Sequence, residues 1–265
     1  MYVAAGAVAG IVYAFAGHSH AARTACGVPA PLSSNAHSLL AAESTRIRAT
    51  VTRTGGRVGE ESWADPVTQR TRQLSFGRYG RVNGQFESVR RGGTDVTTFV
   101  DYDGRTWLTK STAVSHGEGT VETPAEESKT YRTGIENGEQ KIVGHELVDG
   151  AATLHLRQVS HDPASRPKLP PGWPKNAKVP MIPARTIRVD TWVDASTYVP
   201  VRTEAGFGDT PSQTSETWLP RTPANVAKTR LVIPAGFRRQ STTGSSAFFT
   251  IAWTGKPTQA RCAQP

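Results

Sequence analysis

From Thr45 onward, apolar residues recur at every second position rather than every third or fourth. Ile47, Ala49 and Val51 alternate with Arg48, Thr50 and Thr52, the repeat of a strand with one buried face. Further strand candidates follow at 69–79, 85–91, 95–102, 105–110, 140–148, 151–158, 185–193, 198–205 and 213–219. They are rich in Thr, Val, Tyr and Trp and are separated by turn residues. No long helical periodicity is found between Thr45 and Pro220, and only 36–44, with Leu39, Leu40 and Ala41, reads as a short helix. The expected fold is mainly β with a few helices (α+β), built on one antiparallel sheet.

Two hairpins can be tested by pairing arithmetic. Asp149-Gly150 is a strong two-residue turn. Around it Val143 faces Leu156, His145 faces Leu154 and Leu147 faces Ala152, on an apolar face. Gly144, Glu146, Thr153, His155 and Arg157 share the polar one. His145 is therefore expected at the edge of the core and His155 at the surface, on opposite faces, so that they cannot hold one ion. In the second hairpin, turning at Asp103-Gly104, one face carries Val100, Tyr102 and Trp107 and the other Phe99 and Leu108. A strand apolar on both sides is buried on both, or has a core on one side and a ligand cavity on the other.

Two stretches break the pattern. Residues 111–139 are rich in Gly, Glu, Thr and Ser and read as a flexible acidic excursion with one helical turn near 124–129. Residues 160–184 hold seven prolines among Leu169, Trp173, Val179, Met181 and Ile182. Proline keeps this segment out of the sheet, while its apolar residues need something to cover. A loop packed over the sheet edge and a lid over an apolar opening both satisfy that demand.

The first residues carry a targeting signal. Tyr2 to Gly17 is an unbroken run of small and apolar residues, followed by Ser19-His-Ala21, an approximate small-x-small cleavage site. The basic n-region is missing. Residues 1–22 are thus expected to be a signal peptide whose start lies upstream or a truncated membrane anchor. Either places the rest outside the cytoplasm, with 23–35 a linker and 36–265 one domain. The two cysteines, Cys26 and Cys262, would staple the ends of an exported domain, worth ~4–5 kcal/mol in a chain-entropy account. Two unrelated thiols are the competing reading.

With 31 basic and 22 acidic residues the net charge is +9, but no run of like charge occurs. Cations that alternate with acids are solvated strand faces, and a nucleic-acid groove is not expected. Neither a nucleophile elbow, a zinc-protease helix, a phosphate loop nor a dinucleotide fingerprint is present. Ser160-His-Asp162 has triad letters at adjacent positions, whose side chains point apart. No cofactor, metal or catalytic residue is assigned, and a monomer is expected.

The stretch "TWVDASTYVPVR" over 191–202 places Trp192, Val193, Asp194, Thr197, Pro200 and Arg202 in the pattern Trp-Val-Asp-x-x-Thr-x-x-Pro-x-Arg. It resembles the return strands of LolA-like and RseB (MucB)-like bacterial envelope proteins, including mycobacterial lipid-carrying lipoproteins. The segment "KIVGHELVDGAATLHLR" (141–157) is similar to the hairpin before that signature. The tail 218–237 is similar to the ending of exported proteins of high-GC Gram-positive bacteria. In outline the resemblance covers 36–240, and in recognisable motifs 141–237.

Asp194 and Thr197 fit a four-residue turn, and Pro200, lacking an amide hydrogen, fits an edge strand or a bulge. The resemblance implies a strongly curved antiparallel sheet, a half-barrel wrapped over short helices, whose hollow can hold acyl chains. It implies a non-enzymatic, exported or membrane-anchored binding protein for an apolar ligand, lipid or lipoprotein acyl chain. The candidate lining residues are Phe99, Trp107, Leu108, Trp173, Met181, Ile182 and Trp192. One departure is clear: only 8% of residues are aromatic and two are Met, with many Thr and Arg in the strands. An RseB-like sensor that docks a membrane protein is the alternative, and a secreted hydrolase the third.

Overall fold

A computed structural model describes residues 28–113, 120–162, 184–206, 211–240 and 258–259. The chain opens with helix α1, Ser34–Ala42, started by the Ser33 hydroxyl, which accepts from the Ala36 amide at 3.1 Å. Six strands follow: β1 Ile47–Thr54, β2 Arg57–Asp65, β3 Arg70–Phe76, β4 Val82–Arg91, β5 Thr94–Asp101 and β6 Thr106–Ala113. Helix α2, Pro124–Glu136, precedes β7 Lys141–Val148, β8 Ala151–Asp162, β9 Arg185–Asp194, β10 Pro200–Gly206 and β11 Ser212–Leu219. Helix α3, Pro223–Lys228, and two-residue strands β12 (Arg238–Arg239) and β13 (Thr258–Gln259) complete the described elements.

All strands belong to one sheet in the order β12-β6-β5-β4-β3-β2-β1-β11-β10-β9-β8-β13, with β7 also on β8. Pairing is antiparallel except where β12 runs parallel to β6. Each pairing within β1–β6 joins sequence neighbours, as do those within β7–β11. The two runs are spliced by β1 on β11, in register from Ile47 with Leu219 to Thr54 with Ser212, and the short β12 and β13 add to β6 and β8.

The hairpin at Asp103-Gly104 pairs as its residues dictate: Phe99 faces Leu108 and Val100 faces Trp107. The Asp149-Gly150 turn also forms, with φ of +50° and +85°, values a mirror-image two-residue turn requires. Beyond it the register departs from simple alternation. A bulge between Ile142 and Gly144 brings Ile142, not Val143, opposite Leu156. Val143 is 44% exposed and Leu147 76% exposed, so the inner face of β7 is Ile142 alone.

The acidic excursion expected over 111–139 is largely ordered structure. β6 extends to Ala113, and α2 runs for 13 residues. Its start is a capping box: Glu126 accepts from the Thr123 amide at 2.7 Å, and Thr123 Oγ1 accepts from the Glu126 amide at 3.3 Å. The signal was in the sequence as Thr-Pro-Ala-Glu. The helix is weakly amphipathic, which hid its length. Strand β2 and helix α3 also escape the alternation argument, because β2 carries Gly59, Glu60, Glu61 and Ser62 in series.

Helix α2 lies on one face of the sheet. Ile135 and Tyr131 pack with Leu154 and Leu156 of β8, Val193 of β9 and Tyr198. Glu127, two turns earlier, meets Arg48 of β1. From Glu127 to Ile135 a helix rises ~12 Å. On a flat sheet β1 and β8, four strand spacings apart, would be separated by ~19 Å. The sheet curves around the helix, and the long Arg48 side chain closes the remainder. The opposite face is crossed by residues 220–240. Arg221 pairs there with fully buried Asp65 at 3.1 Å, and Phe237 meets Tyr102 edge-on at 5.5 Å.

Candidate functional site

The register defines a line across the α2-bearing face. Leu108 of β6 pairs with Phe99 of β5, Phe99 with Phe86 of β4, and Phe86 with Gln73 of β3. Gln73 pairs with Ser62 of β2, Ser62 with Thr50 of β1, and Thr50 with Glu216 of β11. Directly paired residues share a face, so this row changes from apolar to hydroxylic to acidic across seven strands. Phe86 and Phe99 are half-buried with ring centroids 6.0 Å apart, and Leu108 is buried.

The middle of this face is a floor of paired hydroxyls. Thr50 Oγ1 and Ser62 Oγ lie 2.7 Å apart, and Thr52 Oγ1 and Thr214 Oγ1 lie 2.9 Å apart. In each pair one hydroxyl donates to the other, which leaves one O–H and several lone pairs for something else. Glu60, opposite Thr52, stands on the same floor. Burial pushes its carboxyl up to about 7, against a smaller opposing effect of the Gln73 hydrogen bond.

At the acidic end, Arg48, Glu122, Glu127, Tyr131 and Glu216 gather beneath α2. Burial pushes Glu216 up to about 8, with the Arg48 guanidinium opposing. Burial also raises Glu122 and Glu127, and in Glu127 it outweighs the bonded Arg48. Tyr131 is held protonated by burial above all, with Glu127 and Glu216 adding to the shift. Arg48 itself rises, because Glu216 and Glu127 together outweigh its desolvation. Glu216 Oε1 and Trp218 Nε1 are both buried without a well-formed hydrogen bond.

The other face carries the signature residues. Trp192 stacks on His155 at 4.4 Å and on the Arg202 guanidinium at 4.7 Å, and donates through Nε1 to Glu146 at 2.8 Å. Both His155 nitrogens lie 2.8 Å from carboxylate oxygens, of Glu146 and Asp190; both contacts are hydrogen bonds only in the imidazolium form. Asp190 also accepts from Arg157 at 2.7 Å and from Arg188. His155 is therefore the inner histidine and His145 the exposed one, the reverse of the alternation-based expectation. The reason is that two neighbouring strands, β7 and β9, supply His155 with partners. The two histidines do lie on opposite faces.

Of the seven predicted lining residues, Phe99 and Leu108 are brought together on the α2 face. Trp107 lies on the opposite face, beneath Arg239 at 5.2 Å, and Trp192 is on that face too, in the stack. Trp173, Met181, Ile182, Cys26 and Cys262 lie outside the described residues. Sequence reasoning missed Phe86, whose strand it had placed, because only the β4–β5 register aligns it with Phe99. It also missed the Arg48–Glu127–Glu216 group, drawn from three distant segments. Among the described residues, no three His, Cys, Asp or Glu are arranged to hold a metal ion. No described helix is long and apolar enough to cross a membrane.

The architecture is an open, curved antiparallel sheet over short helices, as the resemblance of the 191–202 signature implied. No family model matches the chain, and no curated protein matches it. Solved structures similar to it include an uncharacterised conserved protein from Thermus thermophilus, 10% identical over 78% of this chain and 96% of that one, with a TM-score of 0.40. The lipoprotein LppX of Mycobacterium tuberculosis is 14% identical over 72% of this chain and 98% of its own, with a TM-score of 0.34. The MucA/MucB complex of Pseudomonas aeruginosa gives 14% identity over 72% of this chain and 59% of that chain, with a TM-score of 0.32.

Proposed function

We propose that this protein is a non-enzymatic binding protein of the cell envelope, acting outside the cytoplasm, which holds an apolar ligand on the α2-bearing face of its curved sheet. The observation that carries this reading is the cluster of Phe86, Phe99 and Leu108 on that face. Helix α2 contacts β1, β8 and β9, whereas these three residues stand on β4, β5 and β6. Phe99 and Leu108 are the contacts expected from the sequence, and Phe86 extends them.

The test is native mass spectrometry of the protein purified from a bacterial envelope, combined with titration of an uncharged pyrene-labelled fatty-acid ester. A co-purified ligand mass is expected, together with saturable probe binding that Phe99→Ala weakens about tenfold. A ligand-free spectrum with no probe binding sinks the reading.

A second reading, a module that docks a membrane protein, is favoured by edge strand β7, where Leu147 is 76% exposed and Val143 44%. An edge of this kind accepts an added strand. Recovery of one stoichiometric membrane partner, lost on Leu147→Lys, supports docking over carriage.

A further inference from the structure

The arginines on and around β1–β6 divide by their position along the strands. Toward the β2–β3 and β4–β5 turns they are neutralised: Arg70 pairs with Glu87, Arg90 with Asp95 at 2.9 Å, and Arg221 with Asp65 at 3.1 Å. Toward the β1–β2 and β3–β4 turns they are bare. Arg53, Arg57, Arg78 and Arg81 are all exposed, and among the described residues none of the four makes an ion pair. Cations paired at one end of the strands and unpaired at the other give the sheet a charged rim.

The register sets these turns abreast. Glu60 of β2 pairs with Ser75 of β3, so three positions further on Arg57 stands level with Arg78. The Gly77 amide donates to the Arg81 carbonyl at 2.8 Å and closes the β3–β4 turn. Gly84 pairs with Asp101, and the Tyr102 amide donates to the Asn83 carbonyl at 3.1 Å, which brings the β5–β6 turn to the same level. Arg105 is exposed there, and exposed Arg238 is tied to it by a 3.0 Å backbone bond. The carboxylates on these turns are Asp101 and Asp103, and Asp101 already accepts two amides at 3.0 Å. The three hairpin ends span about 19 Å. They carry five guanidiniums against two carboxylates, with Arg238 beside them.

An aromatic ring stands at the apex. Tyr79 is 85% exposed, the only exposed aromatic side chain among the described residues, and Arg78 and Arg81 flank it. The tips project into open space: a Cβ added at Gly56 or Gly80 would meet nothing within 4 Å. Among the described residues no wall rises beside them to grip a peptide. Level tips on a curved sheet form an arc, and an arc lies in one plane. A flat anionic surface meets every tip at once. Tyrosine, apolar in its ring and polar at its hydroxyl, suits the boundary of a bilayer, and arginine gains there from anionic head groups.

We infer that the rim made by the β1–β2, β3–β4 and β5–β6 turns docks on a membrane carrying anionic phospholipid. Tyr79 seats among the head groups, and Arg53, Arg57, Arg78 and Arg81 meet their phosphates. The contact is electrostatic and reversible, and it is independent of what the α2-bearing face holds.

The experiment is co-sedimentation of the full chain with vesicles of dioleoylphosphatidylcholine, alone or with about one third dioleoylphosphatidylglycerol. Stronger binding to the anionic vesicles is expected, with the difference lost as salt rises from about 0.1 to about 0.5 M. Amide exchange in the same samples localises the contact. Residues 53–57 and 77–81 are expected to slow on anionic vesicles only, however the apolar run at 2–17 associates with lipid. Arg57→Gln/Arg78→Gln is expected to weaken the anionic binding about tenfold or more, at about fivefold for each cation lost. Tyr79→Ser weakens it several-fold. Arg91→Gln/Lys110→Gln removes the same charge from exposed positions away from the rim and leaves binding within about twofold. The rim variants leave the pyrene-ester titration unchanged, which also reports that they fold.

Equal exchange at 53–57 and 77–81 on both kinds of vesicle overturns the proposal. So do equal losses from the rim pair and the distant pair, which would reduce the effect to net charge. Soluble polyglutamate that protects the same residues as well as the vesicles do overturns the membrane assignment in favour of an acidic protein partner. The pyrene ester decides carriage separately in each case.

Discussion

The Arg202 guanidinium lies 4.7 Å from the centroid of the Trp192 ring, on the strand next to it. A bulge between Pro200 and Arg202 sets this contact, because it brings Arg202 into register with Trp192. Pro200 opens β10 opposite Val193, ahead of the first β10–β11 pair at Arg202 and Ser215, so its missing amide hydrogen takes no bond from the β11 ladder. Trp, Pro and Arg in that spacing are thus parts of one device: a bulged corner locked by an aromatic-cation stack.

The stack predicts a graded series at position 192. Trp192→Ala removes a side chain only 6% exposed and is expected to cost about 3–5 kcal/mol. Trp192→Phe keeps the ring and loses the donor to Glu146, for a smaller loss. Arg202→Ala costs about 1 kcal/mol. Urea denaturation of the three variants checks the order, and equal losses for Trp192→Ala and Arg202→Ala would contradict it.

Asp194 organises the corner itself. Its Oδ1 accepts from the Ser196 and Thr197 amides at 3.0 and 2.8 Å and from both hydroxyls. Burial would raise its carboxyl, but these four bonds outweigh burial and hold it below the ordinary aspartate value. Asp65 and Asp190 are lowered in the same way, by bonds that include Arg221 and Arg188 respectively. A depressed carboxyl stabilises the fold above the unfolded-state value, near 4, and that contribution is lost as pH falls through the folded value. Asp194→Asn is expected to lower stability at pH 7 and to shallow the acid limb between about pH 5 and 2. An unchanged acid limb would remove Asp194 from the account.

Glu216 and Glu60 act with the opposite sign. Their carboxyls rise to about 8 and about 7, both chiefly by burial. A raised carboxyl contributes most below the unfolded value of about 4.3 and loses its contribution as pH climbs to the folded value. Stability should therefore fall between about pH 5 and 8, and Glu216→Gln, which cannot ionise, should flatten the decline. Melting temperatures from pH 5 to 9 decide it; parallel curves for wild type and variant would refute the assignment.

The capping box makes α2 separable from the sheet by mutation. Thr123→Ala is expected to cost about 1 kcal/mol and to speed hydrogen exchange in the first turn of α2 before β8 and β9 are affected. Uniform acceleration across α2 and the strands would show that the helix opens only with the whole fold.

Much of the sheet was legible in two-residue alternation. Phe99 and Leu108 could be paired from Asp103-Gly104 alone, since a two-residue turn fixes register. The same arithmetic failed at Val143, because a bulge changes the count without leaving a distinctive residue. It failed for α2 because acidic and hydroxyl residues mask a helix whose evidence is its cap. It could not place Phe86 beside Phe99 without the β4–β5 register, nor see that Trp192 shares the Trp107 face, away from Phe99 and Leu108.

Neighbouring residues alone set the strand periods, the hairpin turns, the Asp194 corner and the proline that demands a bulge. Each depends on residues within one turn or one hairpin, where backbone sterics and short-range hydrogen bonds decide. The splice of β1 onto β11 was decided only in three dimensions, and with it the meeting of Arg48, Glu127 and Glu216 and the row from Leu108 to Glu216. Those pairings join segments up to 172 residues apart, such as Ile47 and Leu219. Many distant segments carry compatible alternation, so only the collective burial of one curved face selects which of them meet.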